Sequence, residues 1–440
     1  MKRKLENELI EWKNRKEHLP LLLRGARQVG KSYLIENFGK NNFENIIKVD
    51  FEKRKDLKRY FINKDPLEIV KQLELIYETK ITPGKTLLFL DEIQLCPDVL
   101  ISLRYFKELM KDLHVIAAGS LLEFLLNNDE YSFPVGRVEF LYLRPFSFEE
   151  FLEELAPIAF QRLQNVTLKN PFSNFEHIEL LKWVRKYFFI GGMPDAINTY
   201  KSTNSFLECQ KVHRRILQAY ESDFGKYSKH VDHKYLQMIF LKAPILIGQI
   251  LKYSHIDKET RSRDLKPAIK LLTSAGIILQ IFATTASGLP LHAHVKDHRF
   301  KLMFLDIGLL QTASEVDAQE FFEKDILQIN SGKLAEQFVA QEILANNPSD
   351  QNRSLLFWER KKPASSEVDF VQSINSKIVP IEVKAGSTGK LKSLHNFIEL
   401  KKLSLGVRLS ENALSLYDNI LSIPLYLTAH LNRLTLEGLK

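Results

Sequence analysis

Nine residues near the amino end, Arg24-Gly-Ala-Arg-Gln-Val-Gly-Lys-Ser32, restrict this chain more than any other feature. They satisfy the pattern G-x-x-x-x-G-K-[ST], in which a glycine-bent loop turns consecutive backbone N–H groups toward the phosphates of a nucleotide. Gly25 and Gly30 permit the bend, and Ala26, Arg27, Gln28 and Val29 form the cradle between them. Lys31 supplies a point charge for the terminal phosphates, and the Ser32 hydroxyl can ligate Mg²⁺. The flanks agree. Residues 21–23 read as a short buried parallel strand, with Pro20 at its start, where a missing N–H is tolerated. Residues 32–38 read as a helix whose N-terminus would meet the phosphates.

Such a loop needs an acidic partner, and Leu87-Leu88-Phe89-Leu90-Asp91-Glu92 provides it. Four apolar residues read as a central strand buried on both faces. Asp91 emerges at its C-terminal end, the edge where open α/β sheets bind ligands. Asp91 is expected to hold Mg²⁺, directly or through water, and Glu92 to polarise the water that attacks the γ-phosphate. Further strand-like runs at 46–51, 114–118 and 140–143 alternate with helical segments. The expected fold is therefore α/β, a doubly wound parallel P-loop NTPase sheet. Ser120, at the tip of the strand after that of Asp91, either senses the γ-phosphate and attacking water or caps a helix over 121–126. Arg137, beside Gly136, either reaches transition-state charge or pairs with a nearby surface acid. Sequence leaves open whether it would act in its own chain or in a second copy.

A second constellation lies near the C-terminus. In 367–371, Glu367, Asp369 and Val371 share one strand face. A turn near Asn375-Ser376 leads to a return strand over 378–385, which brings Asp369 opposite Glu382, with Lys384 two residues on. On the helix expected over 332–345, Glu336 has Val339, Ala340 and Ile343 as neighbours, so its carboxylate needs a partner. Two carboxylates and a lysine on adjacent strands suit metal-dependent phosphodiester cleavage. Asp369 and Glu382 would hold Mg²⁺, and Lys384 would position or help deprotonate water. Glu336, Asp369, Glu382 and Lys384 fit the PD-(D/E)xK nuclease pattern. The alternative is an amphipathic hairpin whose acid and lysine form an ion pair.

The ordered set Arg-Gly-Ala-Arg-Gln-Val-Gly-Lys-Ser, Leu-Asp-Glu-Ile-Gln, Ala-Gly-Ser, Val-Gly-Arg and Leu-Arg-Pro-Phe-Ser-Phe-Glu-Glu-Phe resembles a family of prokaryotic AAA-type ATPases. Members carry a C-terminal, restriction-endonuclease-like domain of unknown function. The resemblance continues through Gly191-Gly192-Met193-Pro194, Phe304-Leu305-Asp306-Ile307-Gly308-Leu309 and Glu367-Val368-Asp369-Phe370, and ends near Ile381-Glu382-Val383-Lys384. It implies Mg²⁺-ATP binding.

Between the two sites, helices expected over 244–253 and 265–275 precede strands from 277 to 305, the order of a winged helix. Arg261, Arg263, Lys266 and Lys270 would then face a DNA backbone, or else solvent. The expected division is 1–200 for the ATPase core with a helical lid, 201–325 for the winged-helix-like domain and 326–440 for the α/β nuclease-like domain. A net charge of +8 and a pI near 9.1 favour an anionic partner mildly. Cys96 and Cys209 alone give no disulfide framework, which fits a reducing cytoplasm. Apolar stretches are too short or too interrupted to span a bilayer. The expected ligands are ATP or ADP, Mg²⁺ and DNA, with no membrane partner; self-association stays open. The rival reading is a non-cleaving, nucleotide-dependent switch or adaptor that binds DNA or a protein.

Overall fold

The computed structural model describes residues 1–120, 122, 136–227, 231–316, 327–360, 366–386 and 390–440. They form two compact units, one of Met1–Arg144 with Pro348–Asn352, the other of Pro145–Asn347 with Arg353–Lys440.

In the first unit, α1 (Leu5–Asn14) leads to β1 (Leu21–Arg24), α2 (Lys31–Asn42) and β2 (Asn45–Asp50). Then follow α3 (Pro66–Tyr77), β3 (Thr86–Asp91), α4 (Asp98–Leu109), β4 (His114–Ala118) and β5 (Glu139–Tyr142). The strands form one sheet in the order β2-β3-β4-β1-β5, and every pairing is parallel. β3 and β4 are buried at every residue, as strands covered on both faces must be. Because all strands run the same way, the loops after β1, β3 and β4 emerge on one edge. The register sharpens this: Leu23 pairs with Ala118 and Leu90 with Ala117, so Gly25, Asp91 and Gly119 arrive at nearly one level. This is the α/β P-loop sheet expected from sequence.

The second unit is larger. Its helices are α5 (Phe148–Leu155), α6 (Pro157–Gln164), α7 (Asn174–Ile190), α8 (Pro194–Thr203), α9 (Phe206–Tyr227), α10 (His233–Leu246), α11 (Tyr253–Ile256) and α12 (Ser262–Ser274). The hairpin β6 (Ile278–Thr284) and β7 (Val295–Phe304) precedes α13 (Ile307–Ala313), α14 (Leu327–Asn346), β8 (Leu355–Arg360), β9 (Ser366–Val368), β10 (Phe370–Ile374) and β11 (Lys377–Val383). The chain ends with α15 (Lys392–Lys401), β12 (Gly406–Ser410), β13 (Ser415–Tyr417), β14 (Ile420–Pro424) and α16 (Leu431–Gly438). Two mixed sheets result, β7-β6-β8-β9 and β10-β11-β12-β14-β13.

Two features of the structure bear on the expected three-domain division. The segment after 145, expected as a lid on the nucleotide core, belongs to the second unit. The middle and C-terminal segments also share a sheet, since β6 pairs in parallel with β8 through Ile281↔Leu355. The helix expected over 244–253 is instead the end of α10, because Pro244 lies near its C-terminus rather than in its first turn. Proline removes a hydrogen bond and crowds the preceding turn, so the helix stops two residues later.

Several motifs of the resemblance turn out to be fastenings. Asp306, fully buried, accepts N–H groups from Gly192 at 2.6 Å, Gly308 at 3.0 Å and Leu309 at 3.1 Å, and the Gln341 amide at 3.1 Å. It caps α13 and ties that helix to the turn after α7. Gly191 has φ 70°, and a Cβ there would lie 2.2 Å from Asp306 Oδ1. In Ser-Phe-Glu-Glu, Ser147 and Glu150 form a capping box at the start of α5. The motifs keep the fold, whatever else they do.

Beside this fastening His213 is fully buried, its Nε2 2.9 Å from the Ile190 carbonyl and its Nδ1 3.0 Å from Thr312 Oγ1. The carbonyl only accepts, so Nε2 carries the hydrogen and Nδ1 takes the hydroxyl proton of Thr312. Burial pulls the His213 pKa down to about 4. The unfolded chain then binds a proton that the folded one refuses, so stability contributed by neutral His213 is present above about pH 6.5 and lost as pH falls toward 4. Denaturant unfolding of wild type and His213→Gln across this window is expected to show a shallower pH slope in the variant, the difference reaching at most about 3 kcal/mol. Parallel slopes would contradict the assignment.

Candidate functional site

The loop between β1 and α2 has the backbone its glycines predict. Gly25 sits at φ 147° and Gly30 at φ 94°, and a Cβ on Gly25 would lie 2.2 Å from the Leu143 carbonyl oxygen. Gln28 also takes a positive φ, 66°, a strained choice for a residue with a side chain. Ala26 and Val29 point inward and are buried, while Gln28 is exposed. Arg3, outside every sequence expectation, pins the loop: its guanidinium donates to the Val29 carbonyl at 3.2 Å and the Arg144 carbonyl at 2.7 Å.

Lys31 folds back on the loop, donating to the carbonyls of Gly25 at 3.0 Å and Ala26 at 2.8 Å. Burial pulls its pKa down to about 8, with Glu92 and Asp91 acting in the opposite direction. Two neutral acceptors are modest partners for an ammonium, so a phosphate would displace them readily. Ser32 Oγ donates to Asp91 Oδ2 at 2.8 Å, which joins the loop to the end of β3. Lys48 on β2, another residue that sequence reasoning missed, places Nζ 3.1 Å from that same oxygen and 2.7 Å from Glu36. Burial opposes its charge, but the Glu36 and Asp91 carboxylates outweigh it and raise its pKa. Ser32 and Asp91 fit a hard divalent cation: two oxygen donors meet at a spot already attractive to positive charge.

Glu92 follows with φ 56°, its N–H donating to Asp91 Oδ1 at 3.1 Å. Its carboxylate accepts from the Gln94 amide. The other end of that amide, Gln94 Oε1, is buried without a hydrogen-bond partner and would lie 2.2 Å from a Cβ on Gly119. The Ala-Gly-Ser run thus leaves room for the group that orients Glu92. Ser120 follows at the same sheet edge; the helix expected over 121–126 lies outside the described residues.

Arg137 is elsewhere. It precedes β5, whose Glu139 pairs with Leu21 at the start of β1, so it lies at the opposite edge of the sheet from the loop. There it meets Glu108 at 3.3 Å, a carboxylate shared with Arg104. Of the two alternatives left open for Arg137, this geometry favours pairing with a nearby acid within its own chain.

The second constellation does assemble. The register Phe370↔Ile381 continues to Asp369 opposite Glu382, as expected. The strand is not continuous, however: it breaks at Asp369, with β9 in one sheet and β10 in the other. Asp369 Oδ2 accepts the Val383 N–H at 2.8 Å, and Lys384 Nζ donates to Glu382 Oε1 at 2.7 Å. Glu336 on α14 joins them. Sequence gave no sign of Lys301 on β7, whose side chain is 1% exposed and whose Nζ lies 2.6 Å from Glu367, 3.3 Å from Glu336 and 3.9 Å from Asp369. Burial and the nearby Asp369 push Glu336 up to about 8 and Glu382 up to about 7. Lys301 and Lys384 are both raised: burial opposes their charge, and the surrounding carboxylates outweigh it.

The Mg²⁺ expected on Asp369 and Glu382 meets competition in this arrangement. One oxygen of each is taken by Val383 N–H or Lys384, and Lys301 Nζ lies 3.9 Å from Asp369 Oδ1, while Glu382 Oε2 is buried without a hydrogen-bond partner. Among the described residues, no group of three or more His, Cys, Asp or Glu side chains is disposed to hold a metal ion. Nor, among them, is any helix long and apolar enough to cross a membrane.

Comparison with known proteins bears on the segments separately. An AAA domain family model matches residues 17–152. Two families described as domains of unknown function, DUF8612 and DUF4143, match residues 181–320 and 331–427. No curated protein matches the chain. Among solved structures, RuvB of Thermotoga maritima aligns with 63% of this chain and 87% of its own at 15% identity and a TM-score of 0.30. AMPPCP-bound DnaA from Aquifex aeolicus aligns with 62% and 85% at 12% identity and a TM-score of 0.27. For C. elegans PCH-2 the figures are 43%, 57%, 12% and 0.25, so this chain spans little more than half of that one. Overlaps this loose define neither fold nor activity. The family match and the parallel sheet agree on one point: residues 17–152 are an AAA-type P-loop domain, followed by two segments whose families have no assigned function.

Proposed function

We propose that the first unit binds Mg²⁺-ATP and hydrolyses it. The observation that carries this reading is the 2.8 Å contact between Ser32 and Asp91, with Glu92 and Gly119 on the same sheet edge. The 25–30 backbone and the α2 N-terminus receive the phosphates, and Lys31 exchanges two loop carbonyls for them. Ser32 and Asp91 hold Mg²⁺, which when bound neutralises charge on the phosphate oxygens. Glu92, oriented by Gln94, polarises the attacking water, and Ser120 reads the γ-phosphate. Adenine is favoured over guanine because no guanine-reading N-K-x-D pattern occurs in the chain.

For the second unit we propose a non-cleaving, nucleic-acid-binding role rather than nuclease action, since the Lys301 ammonium already neutralises acids beside Asp369 and the Lys384 amine is paired with Glu382. Helices α10 to α12 followed by the β6–β7 hairpin keep winged-helix order. Arg261, Arg263, Lys266 and Lys270 are all exposed on or just before α12, whose other face buries Leu265, Ala268, Ile269 and Leu272. A one-sided basic helix suits a phosphate backbone.

Lys31→Ala is expected to abolish ATP binding, whereas Glu92→Gln should bind ATP and turn it over roughly 10²- to 10³-fold more slowly. Gly119→Ala should share that pattern in milder form by displacing Gln94. Steady-state turnover with equilibrium binding separates these outcomes, and full turnover by Glu92→Gln would refute the assigned role. For DNA, affinity should fall steeply with added salt, and Lys266→Glu with Lys270→Glu should weaken it about tenfold or more and flatten the salt slope. A salt-independent signal would point to a protein partner.

A further inference from the structure

Four carboxylates of the second unit lie close to Lys301 or Lys384: Glu336 on α14, Glu367 on β9, Asp369 at the sheet switch and Glu382 on β11. Each is at least partly withdrawn from water, with Asp369 9% and Glu382 5% exposed. Buried acids in such number need protons or nearby positive charge, because unpaired burial of the ionised form is costly. A divalent metal and a lysine are two ways to supply the charge.

We infer that Lys301 is the resident cation of this cluster and keeps it closed to divalent metal. Its Nζ lies 2.6 Å from Glu367, 3.3 Å from Glu336 and 3.9 Å from Asp369. Mg²⁺ draws its oxygen ligands to about 2.0–2.1 Å in near-octahedral array. An ammonium already stands beside Glu367, Glu336 and Asp369, and a second cation among the same oxygens is repelled. The Lys301 side chain is 1% exposed, and its backbone pairs with Ile281 of β6 on one side and bridges to Ile250 on the other. Its Nζ lies 5.2 Å from the centroid of the Phe357 ring, a contact that favours a charged lysine. Lys384 plays a smaller part in the same scheme, since its amine is spent on Glu382 rather than held ready for water. The middle hairpin therefore neutralises a site built by the C-terminal strands. This follows from the second unit alone and does not depend on ATP hydrolysis.

The test uses the full, nucleotide-free chain carrying Asp91→Asn, which removes the first unit's own metal ligand. Mn²⁺ is titrated and free ion read by electron paramagnetic resonance. With Lys301 in place no Mn²⁺ binding is expected. Lys301→Met should gain a site for about one Mn²⁺ per chain, and adding Asp369→Asn should remove it. If unpaired acids unfold Lys301→Met, the pair Lys301→Met with Glu336→Gln removes one charge of each sign and should gain the same site. Mn²⁺ bound with Lys301 intact and lost on Asp369→Asn would overturn the inference. So would a folded Lys301→Met protein, or the folded pair, that binds none.

Discussion

The hydrogen bond from Ser32 to Asp91 fixes the distance between two chain segments that carry the chemistry of the first unit. It exists because β4 alone separates β1 from β3, and because all three strands end on one edge. The loop must bend sharply to bring Ser32 there. Gly25 and Gly30 make the bend, and Arg3 braces it from the amino end by holding the Val29 carbonyl. The adjoining residues then follow: Glu92 in a left-handed conformation, Gln94 turned toward it, Gly119 bare so that Gln94 fits.

Lysines govern both sites, and burial separates their roles. Lys48, 28% exposed, shares Asp91 with Ser32 and has solvent beside it. Lys301, 1% exposed, is buried beside Glu336, Glu367 and Asp369. The same charge on the same kind of acid thus sits at a solvent-facing place in one unit and at a buried one in the other.

What could be read from sequence divides along physical lines. The loop, the Asp91 strand and their order were legible because each is a local pattern whose chemistry demands those residues. The facing of Asp369 and Glu382 was legible because strand alternation fixes it once the turn at Asn375-Ser376 is placed. Lys48 and Lys301 were not, since a lysine in a strand carries no local sign of which distant acid it will meet. The choice between the two readings of Arg137 was not legible, because a glycine beside an arginine says nothing about sheet edge; the parallel register of β5 on β1 decides that. The pairing of β6 with β8 across the boundary expected near 325 was not legible for a similar reason, because it joins segments separated by some seventy residues.

The central claim is that Ser32 and Asp91 form a seat for magnesium beside a bound triphosphate. Its most direct test is ATP affinity measured with Mg²⁺ and with EDTA, in wild type and in Asp91→Asn. The account predicts markedly tighter binding with Mg²⁺ in wild type and near-equal affinities in the variant. Equal affinities in wild type, or an undiminished Mg²⁺ effect in Asp91→Asn, would contradict it.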